Sequence, residues 1–100
     1  MEGWKGTAWT GQEITLTIQT PNGVIGDLYV RFTDPNKQIR RGSIWFEGRE
    51  MSLANIDPDL GTWVKIFVMR EDTNDGAVVL KTKATHGGNL MISEIGFVAE

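Results

Sequence analysis

The chain has no cysteine, a single histidine and three prolines. Without cysteine there is no disulfide framework, and one histidine cannot make up the His/Cys set that a zinc ion needs. No apolar run approaches the ~18 residues of a membrane-spanning helix. Basic charge is also short: ten Lys and Arg stand against thirteen Asp and Glu, for a net charge of −3. That balance argues against a nucleic-acid partner, which normally selects a basic face. No serine stands in a Gly-x-Ser-x-Gly turn, so His86 reads as a loop residue and not as a member of a triad. The Asp72-Thr73-Asn74-Asp75-Gly76 run begins like a calcium loop but passes at once into a strand. Most acids, among them Asp34, Asp57, Asp59, Asp72 and Asp75, fall in turns and read as solvated turn residues. Met1-Glu2-Gly3-Trp4 has neither the basic start nor the apolar region of a signal peptide. The abrupt opening and close lead us to expect a domain of a longer parent chain.

What is present is strand chemistry. One hundred residues, 40% of them hydrophobic, are enough for one small core. Residues 1–12 carry three glycines and two tryptophans and read as an irregular segment ahead of a domain at 13–100. From Glu13 onward, apolar residues alternate with polar ones over 13–20, 27–33 and 40–47, with turn chemistry at Pro21-Asn22-Gly23 and Asp34-Pro35-Asn36-Lys37. Arg49–Leu53 reads as a short return strand. Thr62–Arg70 is apolar on both faces and predicts a central strand. Asn74-Asp75-Gly76 predicts a hairpin from it into 77–82. In the last strand Ile92 and Ile95 are an odd number of residues apart. Both reach the core only if a bulge intervenes near Ser93-Glu94. No helical period of useful length survives, so the expectation is an antiparallel sandwich or barrel. Its core rows are Ile14, Leu16, Ile18, Leu28, Val30, Phe32, Ile44, Phe46, Val64, Ile66, Val68, Leu80, Ile92 and Ile95.

Four tryptophans in so short a chain ask for an account. Trp45 and Trp63 lie opposite in phase to the apolar residues of their strands, so both point away from the core. Trp63 reads equally as a stacking platform and as a packing residue. Trp4 and Trp9 read as covers for the sandwich edge or as interface residues. Lys37-Gln38-Ile39-Arg40-Arg41 is a basic loop, open to anion or acidic-sugar contact.

Gly61-Thr62-Trp63-Val64-Lys65 and Gly87-Gly88-Asn89-Leu90-Met91-Ile92-Ser93-Glu94-Ile95-Gly96-Phe97 carry a resemblance. With Leu28–Phe32, Phe46-Glu47-Gly48-Arg49 and Asp75-Gly76, they make the chain resemble, from about Trp9 to Val98, the galactose-binding-like jelly rolls attached to bacterial glycoside hydrolases, putative β-galactosidases above all. It is more loosely similar to family 6 and family 35 carbohydrate-binding modules. The resemblance implies an antiparallel jelly-roll β-sandwich that is noncatalytic and works beside a catalytic domain, extracellular or periplasmic. It implies a sugar site at the loop ends, with Trp63 and Asn89 at the matching positions. The family's second aromatic comes from the loop after the Asp27–Thr33 strand, and here Asp34–Gln38 has none. The family's calcium-binding Asp is replaced by Met91, which leaves Glu94 as the remaining oxygen ligand; no cofactor is expected.

The resulting expectation is a carbohydrate-binding accessory domain. Trp63 would stack on a sugar face, Asn89 and Arg40 would bond its hydroxyls, and His86 and Asn36 would line the same rim. The alternative is a structural domain that braces the catalytic domain of the same parent chain and binds no sugar. An enzyme is the distant third reading.

Overall fold

The computed structural model describes residues 2–100, with side chains described from Trp9 onward. Eight strands follow in order: β1 (Glu2–Gly11), β2 (Glu13–Gln19), β3 (Gly26–Phe32), β4 (Arg41–Phe46), β5 (Arg49–Leu53), β6 (Thr62–Val68), β7 (Ala77–His86) and β8 (Leu90–Ala99). They form two four-stranded antiparallel sheets, ordered β1-β8-β3-β6 and β2-β7-β4-β5, packed as a β-sandwich. The expected all-β antiparallel sandwich is therefore the observed class. The pairing has a simple logic. First pairs with last, second with second-to-last, and so on to the β4–β5 hairpin, so the chain doubles back as one long ribbon. Folding that ribbon over adds the β3–β8 and β4–β7 pairs and puts its halves into facing sheets.

Alternation builds the core. Leu28, Val30 and Phe32 from β3 meet Ile44 and Phe46 from β4, Leu80 from β7 and Ile92 from β8, all at 1% exposure or less. Each such side chain contributes roughly 1.5–3 kcal/mol by leaving water. Leu16 and Val64, also expected in the core, are partly buried against it. The bulge in β8 is present. Arg31 pairs with Glu94 and Phe32 with Ile92, which leaves Ser93 as the extra residue, so Ile92 and Ile95 both turn inward.

Three expectations need correction. Residues 2–11 are not irregular but form β1, paired along β8. Main-chain bonds to β8 outweigh the low strand propensity of the glycines. Second, β6 is not central; it is the edge of its sheet and pairs only with β3. Its inner residues Ile66 and Val68 are buried, while Trp63 and Phe67 on the other face are 46% and 53% exposed. Alternation cannot tell a covered apolar face from an exposed aromatic one. Third, β6 and β7 are not a hairpin. They belong to opposite sheets, and the 69–76 segment crosses between them. Trp9 is half-buried, packs on the core and lines the open side of the sandwich with Leu16, Ile18 and Ile95. The side chain of Trp4 lies outside the described residues.

Candidate functional site

The strand directions gather the 11–13, 33–40, 54–61 and 87–89 connections at one end of the sandwich. All five residues expected to form a sugar site lie at or beside this end. Two loops dominate it. The 33–40 loop winds around the carboxylate of Asp34, which is only 3% exposed. That carboxylate accepts the backbone N–H groups of Gln38 (2.9 Å), Ile39 (2.9 Å) and Arg40 (3.3 Å). It also pairs with the guanidinium of Arg40, Nε to Oδ1, at 3.0 Å. Burial by itself would raise the Asp34 carboxyl. The three backbone donors and the Arg40 charge outweigh it and hold the group below the ordinary aspartate range. Asp34 is thus not the solvated turn residue its sequence context predicts. A buried carboxylate is tolerable here because every lone pair finds a donor.

Arg40 then ties this loop to the next one. Its Nη1 donates to the carbonyls of Gly87 (3.4 Å) and Asn89, and its Nη2 donates to Asn36 Oδ1 at 2.8 Å. Gly87 makes the close approach feasible. Its φ is +81°, and a Cβ there would sit 2.5 Å from the Gln38 carbonyl oxygen. The structure therefore brings Asn36, Arg40 and Asn89 together, with His86 at the root of the same loop, opposite Arg41. It gives Arg40 a different part from the expected one. The residue is buried, and four hydrogen bonds to protein acceptors occupy most of its five N–H groups. Arg40 positions the rim and does not offer itself to a ligand. Asn36, His86 and Asn89 are exposed.

Trp63 stands on the outer face of its sheet, beside this rim. Its cross-strand neighbour is Arg31, and beyond Arg31 lies Glu94. Trp63 and Glu94 are thus separated by two strand spacings, about 10 Å. Arg31 donates from Nε (3.0 Å) and Nη2 (2.7 Å) to the carbonyl of Leu60 and from Nη1 (3.3 Å) to Glu94. The carboxylate of Glu94, the remaining candidate calcium ligand, is thereby engaged by an arginine. The approach to Trp63 is stiffened further by Asp57, whose Oδ1 accepts the N–H groups of Leu60 (3.0 Å) and Asp59 (2.8 Å). Those two donors lower the Asp57 carboxyl. The indole is thus a half-exposed plate that follows a hydrogen-bonded turn and has an ion pair on the neighbouring strands. Such a plate can stack on an apolar ring face while neighbouring polar groups bond its substituents.

Among the described residues, no three His, Cys, Asp or Glu side chains converge as a metal-binding group. The roles of Asp34 and Arg31 were not legible beforehand. Asp34 sits in an ordinary Asp-Pro turn, and Arg31 alternates normally in its strand. The one available signal was a carboxylate and a guanidinium six residues apart across a turn. No protein-family model matches this chain, and no curated protein matches it in sequence.

Proposed function

We propose that this chain is a noncatalytic carbohydrate-binding accessory domain of a secreted or periplasmic glycoside hydrolase, of the putative β-galactosidase type. The observation that carries the reading is the half-exposed Trp63, cross-strand from Arg31 of the Arg31–Glu94 pair and beside the loop-rich end. Trp is highly buried on average, so one that is 46% exposed asks for an account. The strand order supports the jelly-roll part of the reading: eight strands in two facing sheets, with the chain crossing between sheets at every connection but the β4–β5 hairpin. The exposed Asn36, His86 and Asn89 would supply hydroxyl contacts at the rim. Function would follow from proximity: a weak site on the same chain as an enzyme raises the local concentration of its substrate.

A specific observation favours the bracing alternative. Phe67, Asp27 and Val98 form one row on the outer face of the Trp63 sheet, and Phe67 and Val98 are exposed there, with Met69 just beyond. An apolar strip of this kind fits burial against a neighbouring domain. Titration with galactose, xylose, glucuronate and β-galactan or xylan oligomers, read by Trp fluorescence and amide shifts, separates the two. Saturable shifts at Trp63, Asn89 and residues 34–41, abolished in Trp63→Ala, are expected for a sugar site. Silence at millimolar concentrations from the folded chain would select the brace.

A further inference from the structure

Among the described residues each sheet ends in two free edges, β1 and β6 in one, β2 and β5 in the other. A free edge is a row of unpaired main-chain groups, and it joins another strand unless something blunts it. Three of these edges are blunted. β1 carries Glu2 and Lys5 and loses its register between Lys5 and Trp9. β5 is only five residues long and opens with Arg49 and Glu50. β6 has Lys65 at its middle, with the side chain 61% exposed. β2 has none of these devices. From Ile14 to Gln19 it holds no charge, no proline and no glycine, and its register against β7 is unbroken.

The ladder to β7 shows which main-chain groups of β2 are open. In an antiparallel pair, alternate residues exchange both bonds with the residue opposite, and those between turn their N–H and C=O away. Ala84 N–H donates to the Gln12 carbonyl, and Thr20 N–H to that of Gly76, so the even-numbered residues of β2 bond β7. Glu13, Thr15, Thr17 and Gln19 therefore turn their main-chain groups to the free side, and all four residues are exposed. Beside them, where the two sheets part, lies a hollow of about 430 Å³ lined by Trp9, Leu16, Thr17, Ile18, Gln19 and Ile95. Donors and acceptors at every second residue next to an apolar hollow call for another strand with an apolar inner row.

We propose that this strand is β2 of a second copy, paired antiparallel about a two-fold axis at Leu16, so that two β2-β7-β4-β5 sheets join into one. A two-fold interface must be self-complementary, and β2 is. In this register the whole strand overlaps. Thr15 of one copy faces Thr17 of the other and Glu13 faces Gln19, for about eight main-chain bonds. On the inner row Leu16 faces Leu16 and Ile14 faces Ile18, which covers the half-buried Leu16 beside the hollow. Glu13 is the one charge in the strand, and it meets an uncharged amide, so no like charges stand opposite. The same operation on β6 would set Lys65 against Lys65. Trp63 lies in the other sheet, and pairing at β2 does not call on it.

Sedimentation equilibrium of the folded chain, from micromolar to millimolar concentration, tests the pairing. A reversible monomer–dimer equilibrium is expected. Thr15→Glu with Thr17→Glu sets carboxylates opposite one another twice, and the dissociation constant should rise about tenfold or more. Thr15→Glu with Thr17→Lys sets opposite charges there instead and should restore the dimer. Circular dichroism and urea midpoints establish that the variants fold. Should the double variants not fold, Thr17→Pro, which removes one outward N–H and spares the β7 ladder, carries the same expected loss. A chain that stays monomeric throughout would overturn the proposal and leave β2 for a strand of a different protein or domain. A dimer indifferent to the paired glutamates would overturn it in favour of another face, the Phe67–Val98 strip first. Equal weakening by both double variants would overturn the Leu16-centred register and the proposal with it.

Discussion

The two ends of the sandwich use the same device and use it differently. At the end that carries the candidate site, Asp34 pairs with Arg40. At the opposite end, Asp72 pairs with Arg49 through two bonds of 2.9 and 2.8 Å. Both aspartates are buried, at 3% and 5% exposure. The arginines differ: the Arg40 side chain is 9% exposed and that of Arg49 is 44% exposed. Arg40 reaches onward to a second loop, whereas Arg49 reaches only to Asp72, with its guanidinium carbon 5.4 Å from the centre of the Phe46 ring. At the Asp72 end, backbone bonds do much of the joining: Thr20 N–H to the Gly76 carbonyl, Gly23 N–H to that of Thr73, and Glu100 N–H to that of Ile25. The site end relies more on one buried side-chain pair to hold loops without regular pairing. The lesson is that an ion pair matters in proportion to how little else joins the segments it connects.

Removing each arginine is the most direct way to break that comparison. Arg40→Met leaves Asp34 charged and buried with only its three backbone donors, and removes the guanidinium bonds to Asn36, Gly87 and Asn89 that tie the two loops together. Loss of one partner from a buried pair costs about 3–5 kcal/mol. Arg49→Met leaves Asp72 its bond from the Met69 N–H at 2.9 Å and lets water replace a half-exposed guanidinium. The expected loss there is about 1–2 kcal/mol. Urea unfolding midpoints of the two variants measure both. Equal losses would mean that partner burial does not govern the effect.

Glycine supplies a matched pair at the next level. Gly87 at the site end and Gly48 at the other have φ of +81° and +82°. Alanine at either costs about 1–2 kcal/mol for the left-handed backbone alone. At Gly48 a Cβ meets nothing within 4 Å, so Gly48→Ala should lose no more than that. At Gly87 it meets the carbonyl oxygens of Gln38 and Ile39 at 2.5 and 2.7 Å. Gly87→Ala must push the two loops apart, and thermal melts should show the larger loss there. Shifts of the Asn89 and Asn36 amides would report the displaced rim.

Much of this was legible in the sequence. Alternation, together with turn chemistry, located seven of the strands, the inward rows and the bulge at Ser93, because burial on one face imposes a period of two on a strand. It did not reveal which strand is an edge. Thr62–Val68 reads as central because Trp63 and Phe67 are apolar, and residue type does not record whether a face is covered. Nor did it reveal the buried carboxylates. Asp34 and Asp72 stand in turn contexts where solvated aspartates are the rule, and their burial depends on an arginine brought in by tertiary structure. Trp63 and Asn89 were nominated by pattern and resemblance, and the structure places both at or beside the loop-rich end. The inward commitment of Arg40 was invisible, since a basic loop looks alike whether its guanidinium faces water or a buried carboxylate.

Acid should act on both ends. The Asp72 carboxyl is held low first by the side-chain bond from Arg49, against a burial effect that would raise it, with help from the Met69 N–H. Asp34 is held low by its three backbone donors and Arg40, again against burial. A carboxylate lower in the folded than the unfolded chain stabilises the fold above its unfolded value, near 3.9, and ceases to do so as pH falls through its folded value. Stability should therefore hold from pH 7 to about 5 and drop below about 4. Asp34→Asn and Asp72→Asn should each be less stable at neutral pH and flatter in their acid response. Unfolding midpoints measured from pH 7 to pH 3 give the slope. If the slope of Asp34→Asn matched that of the parent chain, the site-end pair would not be part of the acid response.

The smallest expected effect sharpens the comparison from inside the 33–40 loop. Ile39 is a β-branched residue at φ +57°, 62% exposed, a backbone conformation that such side chains avoid. What holds it there is its N–H, which Asp34 accepts at 2.9 Å; the side chain itself has little to pack against. Asn tolerates this conformation much better. Ile39→Asn should therefore raise stability by about 0.5–1 kcal/mol without moving the rim, visible as a higher urea midpoint with unchanged amide shifts at Gly87 and Asn89. Asn55 at the same end has φ +55° and is already that residue type, so Asn55→Ile should lose a comparable amount. If Ile39→Asn instead destabilised the chain, the exposed isoleucine would have to be making a contact that its burial does not show. The strain would then be a feature of the rim and not a by-product of wrapping backbone around a buried carboxylate.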